Sequence, residues 1–322
     1  EPTLFLRGDE PVGAAMILIQ PLPFRLGHIA VAKWGPMLAK ADAPDAQKLY
    51  DDIVSHLVEE YADNRHMMLS ILPHASLEPE NPAVSYLASR GFNAGSVLKF
   101  PNRYLVNLRL DDAAQRKSLA QKWRYHLNKS EKEGLIFRQG KLEELGAFDR
   151  LYQAMTERKR FDDHSAYETV EAMVRDLPDG LKPALFFVEQ GEELVGGAII
   201  FTAGDRAVYL NGATNDRALP LRAGYFMHWH IIRWLRDHTR ARWYDLGGTD
   251  GFQGLHQFKK GMVGDAGVIT PVPPVMNFAS SPVARLMGEG AFWARDTYYY
   301  MRHQLLTHLP GSAKPNQNRD AA

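Results

Sequence analysis

The alternation of apolar and polar positions along this chain occurs twice. Residues 4–18, LFLRGDEPVGAAMIL, and residues 185–201, LFFVEQGEELVGGAIIF, each read as an apolar run, a turn of Gly and acidic residues, then Val-Gly and a second apolar run. Short apolar runs joined by such turns predict β-hairpins. A third run follows each hairpin, HIAVAKWGP in the first half and RAVYLNGATN in the second. An amphipathic helix comes next. In the first half it runs from Pro44 to Asn64, with Leu49, Ile53, Leu57 and Tyr61 on one stripe; in the second it runs from Arg222 to Thr239, with Tyr225, Trp229, Ile232 and Leu235. Steps of three and four residues put each set on one helix face. A further strand, HMMLSILP or RWYDLGG, closes each copy. Two hairpins could share turn chemistry by accident, but a matching helix and strand in the same order favour a duplicated α+β domain.

Between the copies the pattern is helical. Asp111 and Asp112 stand where an N-cap and first turn belong, and RKSLAQKWRYHLNKSEKEG carries a helix to Gly134, a C-terminal glycine. A short strand, LIFRQG, opens the second copy, and a helix spans Leu142 to Arg160. These features place a first domain at 1–137 and a second at 138–280. A last helix, 281–309, carries Val283, Leu286, Phe292, Trp293 and the Tyr298–Tyr300 cluster. The tail 310–322 is polar, contains Pro and Gly, and is expected to be disordered. The chain opens without Met almost directly on a strand, so the first domain is expected to be trimmed at its N-terminus.

Composition narrows the function classes. At 322 residues and 45% hydrophobic content there is apolar material for two cores. Basic and acidic side chains balance at 38 each, so no global field draws the protein to a polyanion, and such a contact needs a local patch. The absence of Cys excludes disulfides, thiolate nucleophiles and Cys-ligated metals, and fits a cytoplasmic protein. No apolar run approaches the roughly 18 residues of a membrane span, and the N-terminus lacks signal-peptide character, so no stable membrane insertion is expected. Two domains that can bury each other's faces make a monomer the default expectation. His228 and His230 are two apart on a helix and point to different sides; Asp245 and Asp250 lack EF-hand spacing; no metal is expected. There is also no Gly-x-Ser-x-Gly elbow, Walker loop or dinucleotide glycine pattern.

The stretch from Tyr209 to Gly264 carries the clearest signature. YLNGATNDRALPLRAGYF is a strand and polar turn leading into a helix; RWYDLGG is a short strand; QGLHQFKKG follows. This succession resembles the C-terminal signature of the Fem family, aminoacyl-tRNA-dependent peptidyltransferases that build peptidoglycan cross-bridges. The resemblance covers most of the chain, most strongly residues 185–264. It implies two tandem GNAT-like domains (acetyltransferase-like, α+β), each a mixed, mostly antiparallel sheet flanked by helices, with the last helix packing back on the first domain. The donor would be aminoacyl-tRNA and the acceptor an amine on a nucleotide- or lipid-linked peptidoglycan precursor, with no cofactor. Lys259 falls on the family's Phe-Lys lysine, which meets the acylated tRNA end and could offset charge on the ester carbonyl. Phe258, Lys260 and Asp245 adjoin it, the last opening a glycine loop beyond a strand's carboxyl end. From charge alone Lys259 and Lys260 would read as solvated surface lysines. HIAVAKWGP resembles the family's strand ending in a basic residue before Gly-Pro, which makes Lys33 a candidate for a precursor diphosphate. Trp34 intervenes, and a plain strand-end lysine is the alternative.

NDRALPLRAGYF occupies the position of the GNAT pyrophosphate loop, where Arg217, Arg222 and helix amides would suit an anion; its glycine spacing departs from the acetyl-CoA pattern. Tyr225 could line that groove or simply belong to the helix's apolar stripe. The basic helix between the domains brings Arg124, Asn128 and Lys129 nearest to the family's tRNA-contacting segment, the alternative being a solvated charged face. No side chain declares itself as a general base, and positioning is expected to dominate catalysis. Two other readings stand beside this one: an N-acyltransferase using acyl-CoA or acyl carrier protein on the same fold, and a noncatalytic module that binds tRNA or precursor.

Overall fold

A computed structural model describes residues 1–159 and 167–308. Two units emerge among the described residues, one of 1–101 with 270–308 and the other essentially 102–269. In the first unit, β1 (Pro2–Arg7) and β2 (Glu10–Pro21) form the first hairpin, followed by β3 (His28–Lys33) and a two-residue β4 (Met37–Leu38). The helix α1 (Ala46–Leu57) continues as a wider π-helical turn through Asn64 and leads to β5 (Met68–Leu72). Then come α2 (Pro82–Ser89) and β6 (Asn93–Ala94). β1, β2 and β3 pair antiparallel, whereas β3 and β5 run parallel, Ile29 opposite Met68 through Lys33 opposite Leu72.

The second unit repeats this plan. After β7 (Asn102–Asn107), α3 (Asp112–Ser118), α4 (Gln121–Ser130), β8 (Leu135–Gly140), α5 (Leu145–Lys159) and α6 (Val170–Asp176) come β9 (Ala184–Gln190) and β10 (Glu193–Phe201), the second hairpin. β11 (Arg206–Thr214) follows, then a short α7 (Ala218–Leu221), α8 (Ala223–His238) and β12 (Trp243–Asp245), which pairs parallel to β11. α9 (Gln253–Val263) leads to β13 (Val268–Pro271). The chain then supplies β14 (Met276–Phe278), which inserts between β5 and β6 of the first sheet, and α10 (Pro282–His308). The sheet orders are β1-β2-β3-β5-β14-β6, with β4 on β2, and β13-β7-β12-β11-β10-β9-β8. Two tandem α+β domains are therefore the fold, as the repeated pattern implied.

The boundary differs from the expected residue 137. β7 pairs antiparallel with β12, and α3 and α4 cap the second sheet, so the division falls between Pro101 and Asn102. The segment from Thr270 onward is correspondingly part of the first unit, where Ala284, Met287 and Phe292 of α10 pack on Ile29 and Met68. The expected tail, 310–322, lies outside the described residues, as do Leu309 and Arg160.

Period-two alternation sets the two layers of each core. In β9, Phe186 and Val188 face a cluster with Trp123, Trp229, Ile232 and Phe258 from α4, α8 and α9. The intervening Leu185 and Phe187 face Phe148, Leu151 and Met155 of α5. In the first unit Ile53, Val54 and Leu57 of α1 pack on Ile17, Ala30, Leu69 and Ile71. Gly13 is required there, because a Cβ on it would stand 2.5 Å from Ile53 Cδ1 and 2.8 Å from the Met37 carbonyl.

Candidate functional site

The second unit opens where β12 stops. Its parallel pairing covers only Arg206–Val208 of β11, while β11 continues to Thr214 beside β10 alone. The chain leaving β12 becomes the loop Leu246–Gly251, and α9 turns back behind it. Carboxyl ends of strands at such a divergence are where an open sheet presents backbone to a ligand.

Two opposite charges hold this loop. Asp245 is buried; its Oδ2 accepts from Arg103 Nη2 at 2.7 Å and its Oδ1 from the Gly247 N–H at 2.9 Å. Lys259 is also buried, and its Nζ donates to the carbonyls of Leu246 at 2.6 Å and Gly248 at 2.5 Å. Gly247 takes φ +74°, a left-handed turn that lets the chain present successive polar groups in opposite directions. Burial pushes the Lys259 ammonium down to about 8; Arg103 adds to the effect, and the carboxylates of Asp250 and Asp245 oppose it. The sequence suggested a lysine facing substrate. The fold instead tucks the ammonium inward onto carbonyls, because Phe258 and Lys259 both fall on the covered side of α9 while Lys260 is exposed.

Behind the loop lies an aromatic layer. Phe258 contacts Tyr225, His228 and Trp123, with ring centroids 4.9, 5.6 and 6.0 Å away. Tyr225 is therefore a core residue, also 4.8 Å from the His126 ring. His228 shares a 3.0 Å hydrogen bond with the Tyr244 hydroxyl through Nδ1. Burial, with the Lys259 charge, lowers His228 to about 3, so it is neutral at ordinary pH. His256, one turn before Lys259, bonds the buried Tyr104 hydroxyl at 2.5 Å. Among the described residues no cluster of three metal-ligating side chains occurs.

The other predicted residues are more scattered. Arg222 sits at φ +56° between α7 and α8; its Nε donates to His126 Nδ1 at 2.8 Å and its Nη1 to the Pro220 carbonyl at 2.7 Å. Arg217 pairs instead with the Glu193 carboxylate and the Gln190 side-chain oxygen at the hairpin turn, where its charge is already balanced. In α4, Arg124 Nη1 donates to the carbonyls of Lys117 and Leu119 at 2.7 and 2.6 Å, tying the end of α3, and Asn128 accepts from Arg116 at 2.8 Å. Lys129 remains exposed with its Nζ 4.6 Å from the centre of the Tyr125 ring. Lys33 is exposed at the end of β3 in the first unit, before Trp34 at φ +61°. Arg103, His126 and His256 were not foreseen. Arg103 is 142 residues from Asp245 in sequence, and no local pattern announces such a partner.

A hairpin, a third strand, a helix and a short parallel fourth strand, repeated twice, define tandem GNAT domains, and residues 114–260 match the acetyltransferase (GNAT) domain model. The protein is an acyltransferase. Residues 5–168, half of the chain, match the FemAB family model, and the chain belongs to that family. The crystal structure of FemX is similar at TM-score 0.70, with 17% identity over 87% of each chain. The C-terminal domain of a putative lysylphosphatidylglycerol synthetase from Agrobacterium fabrum is similar at TM-score 0.59, with 14% identity over 94% of this chain and 87% of that one. L-PGS from Bacillus licheniformis follows at 0.53, with 13% identity over 90% and 89%. At these identities the likeness is one of fold. No curated protein matches the chain in sequence.

Proposed function

We propose that this protein transfers an aminoacyl group from aminoacyl-tRNA to an amine of a peptidoglycan precursor. The observation that carries the reading is the Lys259-held loop at the end of β12 within a chain of the FemAB family, and we read that loop as the acyl site. The reaction joins the acceptor amine to the ester carbonyl carbon and expels the ribose oxygen of the tRNA, so alignment and charge stabilisation are what the protein must supply. Two of the three Lys259 N–H bonds serve the loop; the third is left for an oxygen of the acylated terminus.

Exposed Lys129, beside exposed Tyr125, is the part of the predicted tRNA set left for phosphate contact, since Arg124 and Asn128 are engaged within the fold, and exposed Lys260 stays with the substrate-binding set. Arg222, at the entry to α8, faces the anionic part of a substrate, and Lys33 takes the precursor's diphosphate. A cytoplasmic location follows from these substrates; among the described residues no helix is long and apolar enough to cross a membrane. The test is transfer of radiolabelled amino acids from a charged total-tRNA pool to a precursor mixture. Label should enter precursor, vanish with RNase, and fall sharply for Lys259→Ala. Amine acylation that requires acyl-CoA and ignores tRNA would overturn the donor assignment.

A further inference from the structure

The loop after β12 contains two peptide groups whose carbonyls meet the same ammonium. The Leu246 carbonyl lies 2.6 Å from Lys259 Nζ, and the N–H of that same peptide, on Gly247, points the other way and meets the Asp245 carboxylate at 2.9 Å. A trans peptide is planar with its C=O and N–H opposed, so a cation on one end and an anion on the other is the arrangement that planarity permits. The Gly248 carbonyl lies 2.5 Å from the same Nζ. The N–H of that second peptide belongs to Thr249, and among the described residues it makes no hydrogen bond. Thr249 is only 7% exposed as a residue, yet its N–H is a donor that the fold does not itself use.

We infer that the Thr249 N–H is the oxyanion donor of the acyl-transfer step, oriented and polarised by Lys259 through the Gly248 carbonyl. The inference rests on the acyl-transfer reading and deepens it. When the amine nitrogen bonds to the ester carbon, the carbonyl π pair moves onto oxygen. That oxygen takes at Thr249 the place that Asp245 takes at Gly247. Collapse restores the carbonyl, breaks the bond to the ribose oxygen, and the proton released by the amine ends on that oxygen, with no further reactant required. Lys259 thereby acts as a positioning residue for the peptide, in addition to any contact of its third N–H. Cations that polarise a hydrogen-bonded chain strengthen its far end, which suits a donor needed only while negative charge develops.

The test removes one N–H and little else. Threonine at 249 is replaced by its α-hydroxy analogue through nonsense suppression, so an ester oxygen stands where the amide was; protein made by the same suppression with threonine itself is the control. Single-turnover transfer from charged tRNA should slow by about 100-fold in the ester variant relative to the threonine-suppressed protein, with tRNA affinity unchanged. Transfer by the ester variant at the wild-type rate would overturn the inference and leave the proposed function standing. A wild-type protein that transfers nothing from charged tRNA would instead sink the donor reading. A second measurement covers the chance that the ester variant does not fold. In threonine-labelled wild-type protein, inorganic phosphate, a tetrahedral anion, should shift the Thr249 amide signal more than any other threonine amide, and no such shift would count against the assignment.

Discussion

Replacing Lys259 by Met keeps an unbranched side chain one atom shorter and deletes its charge. The structure predicts how that change depends on pH. Burial holds the folded ammonium near 8, against 10.5 for an ordinary lysine. Above pH 8 the folded protein releases this proton while the unfolded chain still binds it, so raising pH through the window from 8 to 10.5 favours the folded state. Each unit of difference is worth about 1.4 kcal/mol, so wild-type protein should gain about 2.5 kcal/mol from this one group between pH 7 and pH 10. The Met variant has no such group. Loss of the two carbonyl bonds adds an offset to the comparison, but the slope of the difference with pH belongs to the ammonium. Tyrosines whose ionisation burial pushes up, such as Tyr50 and Tyr225, destabilise both proteins alike above pH 10 and cancel. Urea unfolding of both proteins at half-unit steps from pH 7 to 10 measures the slope. A stability difference independent of pH would mean that Lys259 is solvated, and the clamp on the loop would be refuted.

His228 follows with the same sign, read toward low pH. Its folded value of about 3 means that the unfolded chain alone takes up the proton as pH falls below 6.5; replacing His228 by Phe should therefore improve stability relative to wild type by about 2 to 3 kcal/mol on going from pH 7 to pH 4.5, read by urea unfolding. Asp245→Asn leaves Arg103 without its carboxylate partner in a mostly buried position, and should lower stability by about 3 kcal/mol and slow transfer, measured by thermal melting and single-turnover assay. Gly264 takes φ +60° with ψ −155°, and a Cβ there would stand 2.1 Å from the Ser118 carbonyl oxygen; Gly264→Ala should cost about 3 kcal/mol or more, visible as a lowered Tm.

Local pattern revealed the elements of this fold better than their assignment to units. Both hairpins, both third strands and the two amphipathic helices stand out because each has its own period and turn chemistry: the helix expected at Arg222–Thr239 is Ala223–His238. The boundary near 137 failed because β7 and β14 are chosen by non-local pairing: Val106 sits opposite Tyr244, and Met276 opposite Ile71. Nothing in either strand's own residues encodes those partners. The site shows the same division. Asp245 and Lys259 could be found from their motif, and both bond the loop after β12, whereas Phe258 of the same motif packs on Tyr225, His228 and Trp123. The direction of the Lys259 ammonium could not, because it depends on which face of α9 meets the sheet. Arg124 and Arg217 read as free cations in sequence, and only the fold brings the carbonyls and carboxylate that occupy them.

The central claim is that an aminoacyl ester of tRNA is the donor and an amine the acceptor. The most direct measurement is the mass of a purified peptidoglycan precursor after incubation with the protein and a defined charged tRNA, with acyl-CoA supplied in a parallel reaction. The account predicts a gain equal to one amino-acid residue on the precursor amine, only in the tRNA reaction, abolished by RNase and strongly reduced by Lys259→Met. A gain matching the acyl group of the CoA ester, with the tRNA reaction silent, would contradict it.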